Sequence, residues 1–119
     1  IKKVILTSGK VFYDLIKYRE KNDISDTAIL RVEQFYPFRK EKLNKLLLSY
    51  PNTKNILWVQ EEPNNMGAWN FLSTRISDLI SNSQKLICVS RPEAASPAVG
   101  SGKLSYQQQV QLVKEAFSY

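Results

Sequence analysis

The chain has 119 residues, of which 43% are hydrophobic, and only four glycines and five prolines, so it suits one compact domain and not a disordered tail. Seventeen Lys and Arg against eleven Asp and Glu give a net charge of +6, which fits either a soluble basic surface or attraction for phosphates. With no histidine and one cysteine, Cys88, the commonest acid–base residue is absent, a zinc site lacks ligands and an internal disulfide framework is excluded, as suits a reducing compartment. No apolar run approaches the ~20 residues of a membrane span, and no signal-peptide pattern opens the chain. A first residue of Ile1 instead of methionine suggests a fragment of a longer polypeptide.

The apolar run Val4 to Leu6, stopped by Thr7-Ser8-Gly9, predicts a buried strand. Phe12, Leu15, Ile16 and Arg19 then recur at helical spacing until Asn22-Asp23. A second strand is predicted over Ala28 to Val32, with a break at Pro37. Leu43, Leu46, Leu47 and Tyr50 form the apolar stripe of a second helix ended by Pro51. "KNILWVQ" reads as a third strand, and "GAWNFLSTRISDLI" as a helix with Trp69, Leu72, Ile76 and Leu79 on one stripe. "KLICVS" is a fourth strand, and "RPEAASPAVGSGK" is a loop with an extended piece near Ala98-Val99. The closing helix "YQQQVQLVKEAF" places Tyr106, Val110, Val113 and Phe117 on one face. Strands that are continuously apolar and alternate with helices point to a three-layer α/β sandwich with a largely parallel sheet.

Ligands of such sheets gather at the carboxyl ends of the strands. Those ends carry Ser8-Gly9-Lys10, Glu33-Gln34, Gln60-Glu61-Glu62 and Ser90-Arg91. "GSGK" at Gly100 to Lys103 is no phosphate loop, because Pro97 and Leu104 stand where that motif needs glycine and Ser or Thr. Glu61 and Glu62 are adjacent, and neighbours on an extended backbone point to opposite faces, so the pair is poorly arranged to serve one substrate. One reading is a strand-end turn with solvated carboxylates; another has one glutamate facing a partner while the other secures the turn. Arg39, Lys40, Lys42 and Lys45 lie within seven residues, with Lys42, Lys45 and Ser49 on one helical stripe, expected on the face away from the leucines. They form either a solvated face or a phosphate-binding edge that Asn52 also borders. The aromatic residues do not interleave with these lysines, which argues against nucleic-acid binding. Arg91, before a proline-broken loop, is placed for an anion contact.

"VILTSGKVFYDL", "AILRVEQFYPF", "WVQEEPNNMGAW" and "SRPEAASPAVGSGKLSYQQQ" occur in an order and spacing that resemble the C-terminal domain of the thiamine-diphosphate-dependent decarboxylating component of 2-oxoglutarate dehydrogenase. The resemblance covers nearly the whole chain. It implies the fold of the transketolase C-terminal domain, appended to two larger domains that hold thiamine diphosphate and Mg2+. Their Gly-Asp-Gly…Asn motif is absent here, so the resemblance assigns the cofactors to sequence outside this chain and no catalytic residue to it. The implied partners are the upstream domains of the same enzyme, a homodimer mate and the lipoyl-bearing succinyltransferase, in bacterial cytoplasm or, in a eukaryote, the mitochondrial matrix; neither nucleic acid nor membrane is expected. Gln60, Glu61, Glu62, Gly67, Trp69 and Arg91 would then serve interdomain contact. Arg39, Lys40, Lys42, Lys45, Ser49 and Asn52 would mark an acyl-coenzyme A or nucleotide effector site, although "YPFR" stands where relatives carry "YPFP". Two other readings are a freestanding regulatory module for a phosphorylated ligand and the equivalent domain of a 2-oxoadipate-type dehydrogenase.

Overall fold

The computed structural model describes residues 1–33, 38–92 and 102–119. Strand β1 (Lys3–Thr7) leads into helix α1 (Val11–Lys21), then β2 (Thr27–Arg31), α2 (Lys40–Leu48), β3 (Asn55–Pro63), α3 (Trp69–Ser77), β4 (Lys85–Arg91) and α4 (Gly102–Ala116). The four strands form one parallel sheet in the order β2-β1-β3-β4. The apolar strands are buried on both faces because helices cover both. Ile5, Leu57, Val59 and Val89 meet α1 and α4 through Val11, Leu15, Leu112, Val113 and Ala116. The alternate residues Val4, Leu6, Ile56 and Trp58 meet α2 and α3 through Leu43, Leu47, Leu72 and Ile76. This is the expected three-layer arrangement.

The chain leaves β1 toward β2 on one side and returns to β3 on the other, so the switch point of the topology lies between the carboxyl ends of β1 and β3. Thr7 ties these ends together: its hydroxyl, fully buried, donates to the Val59 carbonyl at 2.7 Å. At the opposite end of the sheet Lys3 donates from Nζ to the Ala116 carbonyl at 3.2 Å and so caps the last turn of α4. Burial holds the Lys3 ammonium below its ordinary pKa, against an opposing pull from Asp26.

Two expected helix faces are rotated. In α4 the buried stripe is Leu112, Val113 and Ala116, whereas Tyr106 is 71% and Val110 48% exposed. Helix α4 also begins at Gly102, inside the stretch expected as loop. Its four-residue apolar spacing fits two registers, and the small Ala116 allows the close approach that selects the one observed. In α2, Leu43 and Leu47 are buried but Leu46 is exposed, because a nine-residue helix seats only one narrow stripe. Strand β3 continues through Glu61 and Glu62 to Pro63 instead of ending at Gln60, and its pairing with β4 is irregular between Val59 and Pro63. Pro37, Gln34 and the Ala98-Val99 piece lie outside the described residues.

Candidate docking edge at the switch point

Residues 56, 58, 60 and 62 of β3 face α3, and residues 57, 59 and 61 face α1 and α4, as period-two alternation requires. Gln60 is therefore directed back along Trp58 into the α3 layer, where it is buried. Its Oε1 accepts from Trp58 Nε1 at 2.8 Å and from the Trp69 backbone N–H at 3.2 Å. Its Nε2 donates to the carbonyls of Pro63 and Met66, at 2.9 and 2.8 Å, and reaches that of Glu62 at 3.2 Å. One amide thus brackets the turn from β3 into α3. The hydrogen bonds that sequence reasoning directed toward neighbouring domains are, for Gln60, spent within this turn.

Gly67 completes the bracket. Its φ of +71° is unfavourable for a residue with a Cβ, and such a Cβ would stand 3.0 Å from both Gln60 Oε1 and Glu62 Oε2. Trp69, half-buried, opens α3 immediately afterwards. Glu62 is exposed and borders a cleft of about 420 Å³ with Ser8, Trp58, Gly67, Ala68 and Phe71.

Glu61 emerges on the other face. There Arg91, at the end of β4, donates from Nη2 to Gln109 Oε1 at 2.7 Å and from Nη1 to Ser105 Oγ at 3.3 Å. Gln109 Nε2 in turn donates to Asp14 and to Glu61, each at 2.9 Å. This network ties α1, β3, β4 and α4 together beneath a cleft of about 590 Å³, with Lys10, Tyr13 and Tyr106 on its rim. The adjacent glutamates therefore serve opposite faces, as the alternation predicts. Gln109 and Asp14 were not singled out from the sequence.

The basic stripe divides differently. Lys42 lies with Arg31, Arg39, Phe38, Leu43 and Leu46 around a groove of about 450 Å³. Arg31 stacks over Phe12 and Tyr13, donates to Tyr13 Oη and pairs with Glu33, and the Tyr13 bond raises its pKa further. Lys40, Lys45, Ser49 and Asn52 are exposed but do not line the groove, and the Ser49 hydroxyl is turned back onto the Leu46 carbonyl. Lys42 thus shares the leucine side of α2 instead of opposing it. Among the described residues no three His, Cys, Asp or Glu side chains converge as metal ligands. No described helix is long and apolar enough to cross a membrane.

The fold and this edge define a small parallel α/β domain whose carboxyl-end side chains are bonded mainly to one another. The sequence matches the family described as 2-oxoglutarate dehydrogenase C-terminal over residues 1–117, and the chain belongs to that family. The 2-oxoglutarate dehydrogenase E1 component of Haemophilus influenzae is 44% identical over 119 residues, covering 100% of this chain and 13% of that protein. That of Cupriavidus necator is 43% identical over 118 residues, 99% of this chain and 12% of that protein. The 2-oxoglutarate dehydrogenase E1/E2 component of Corynebacterium glutamicum is 40% identical over 117 residues, 98% of this chain and 10% of that protein. The chain thus spans about an eighth or less of the length of these relatives and corresponds to a C-terminal part of E1 components.

Proposed function

We propose that this chain serves as one packing domain of a thiamine-dependent 2-oxoglutarate dehydrogenase, holding the carboxyl-end edge of its sheet against the upstream domains or the dimer mate. The parent enzyme decarboxylates 2-oxoglutarate, with thiamine diphosphate and Mg2+ held by other domains, and passes the succinyl group to the lipoyl carrier of its succinyltransferase partner. The observation that carries this reading is the makeup of the edge: exposed Tyr13 and Tyr106 border the Arg91–Gln109–Glu61 network, exposed Glu62 stands on the opposite face, and Gln60 and Gly67 fix the turn between them. Tyrosine and arginine over a rigid base are what interface centres favour. In the full-length enzyme Glu61→Gln or Glu62→Gln should weaken domain or dimer packing while single-turnover decarboxylation in assembled enzyme stays near wild type. A loss of about a hundredfold in that step, about 2.7 kcal/mol of barrier, with assembly intact would overturn the reading.

A second reading concerns the groove of Arg31, Arg39 and Lys42, where cations adjoin an apolar wall of Phe38, Leu43 and Leu46. Such a wall suits a ligand with a phosphorylated end and an apolar remainder, such as acetyl-coenzyme A. At low salt Lys42→Ala should weaken its binding to the full-length enzyme, and Lys45→Ala, outside the groove, should not. Absence of binding to wild type, or equal binding to the Lys42 variant, would leave a solvated basic face.

A further inference from the structure

Arg91, Asp14 and Glu61 line one cleft, yet Arg91 forms no ion pair with any described residue. The reason is visible in the hydrogen bonds. Gln109 stands between the guanidinium and the two carboxylates, with its carbonyl oxygen toward Arg91 and its amide hydrogens toward Asp14 and Glu61. Its amide orientation is fixed by charge on both sides, since reversal would set NH2 against a guanidinium and oxygen against two carboxylates. Arg91 Nε is buried with no hydrogen-bond partner among the described residues, so the guanidinium is held without being saturated.

We infer that Gln109 is a positioning residue that keeps Arg91 out of internal ion pairs, so that Arg91 and Glu61 face the cleft as separate opposite charges for an acid and a base on the upstream part of the parent polypeptide. This rests on the docking reading above. The occupant is taken as that upstream part because this chain covers only 12–13% of its E1 relatives, which leaves a large tethered neighbour, and because the rim residues Tyr13 and Tyr106 are exposed on α1 and α4. A direct Arg91–Glu61 or Arg91–Asp14 pair would neutralise the patch internally and leave the partner's charges to be desolvated without compensation. An amide spacer satisfies both signs by hydrogen bonding and cancels neither.

The test uses the full-length enzyme and hydrogen exchange of residues 102–110 of α4, measured from low salt to roughly 0.5 M, where exposed charge pairs are screened. Wild type should exchange slowly at low salt and about tenfold faster at high salt, a factor equivalent to 1.4 kcal/mol. Gln109→Ala should exchange fast already at low salt and lose the salt dependence, because Arg91 has closed onto Glu61 or Asp14. Gln109→Glu, which pairs with Arg91 directly, should do the same. A purely structural role for Gln109 would speed exchange but retain the salt slope, and that result would overturn the inference. Arg91→Ala separates the two levels. If it matches wild type, the docking reading itself fails; if it exchanges fast while Gln109→Ala matches wild type, only the assignment of Gln109 fails.

Discussion

Replacing Gly67 by alanine should destabilise the chain by about 2–4 kcal/mol, and Gly9 supplies the control. Both glycines have positive φ, +71° at Gly67 and +78° at Gly9, so both substitutions incur the left-handed backbone cost of about 1–2 kcal/mol. They differ in surroundings. A Cβ at Gly9 meets nothing within 4 Å, whereas at Gly67 it stands 3.0 Å from Gln60 Oε1 and 3.1 Å from Gln60 Cδ. The exposed Glu62 can swing away, but Gln60 is buried and bonded to five groups, so moving it breaks hydrogen bonds worth roughly 1 kcal/mol each. Urea unfolding of both alanine variants should therefore place Gly67→Ala about 1–2 kcal/mol below Gly9→Ala. In a Gln60→Ala background the obstacle is gone, and Gly67→Ala should cost no more than Gly9→Ala does. Equal costs for the two glycines in the wild-type background, or an unchanged Gly67→Ala cost without Gln60, would refute the bracket as the source of rigidity.

Gln60→Glu should be more destabilising than Gln60→Ala at neutral pH, because a carboxylate oxygen then faces the carbonyls of Pro63 and Met66; urea midpoints at pH 7 and under mildly acidic conditions check this, with the gap narrowing on protonation. Cys88 should alkylate slowly at pH 8, since burial, above all, pushes its thiol from 9.0 to about 11. The folded state then holds the proton longer than the unfolded one, so this contribution to stability is intact below pH 9 and declines as pH rises through about 11, a decline that Cys88→Ala should remove. Lys3→Met should change stability by less than about 1 kcal/mol in thermal unfolding, because loss of the α4 cap is offset by release of a desolvated ammonium.

What was legible in the sequence follows periodicity. The parallel sheet, the element order and the divergence of Glu61 from Glu62 all come from period-two and period-3.6 patterns, which backbone geometry enforces. The α4 face was not legible because Tyr106, Val110, Val113 and Phe117 satisfy helical spacing as well as Leu112, Val113 and Ala116 do. Only contact with β4 and α1 decides between the two stripes. The inward turn of the Gln60 side chain was not legible for a related reason. A glutamine at a strand end looks outward until the indole two residues earlier is seen to need an acceptor on the same face. Gln109 carried one unused signal: it sits three, four and seven positions before Leu112, Val113 and Ala116, a polar residue on the inward stripe of an amphipathic helix.

The two faces of the β3 end depend on each other. Gln60 and Glu61 are consecutive, so whatever fixes the backbone at Gln60 also fixes the direction in which Glu61 leaves the strand. The pairing with β4 becomes irregular beyond Val59, and there the ladder no longer supplies that constraint. The Gln60 amide replaces it by gathering Pro63, Met66 and Trp69 around one side chain. On the opposite face the Glu61 carboxylate is then met by Gln109 at 2.9 Å and held apart from Arg91. A loosened bracket would let Glu61 drift toward the guanidinium and close the ion pair that Gln109 prevents. The left-handed glycine, the buried glutamine on the α3 side and the spacer glutamine on the α4 side thus act on one short piece of backbone, and their common effect is to keep the Glu61 and Arg91 charges apart.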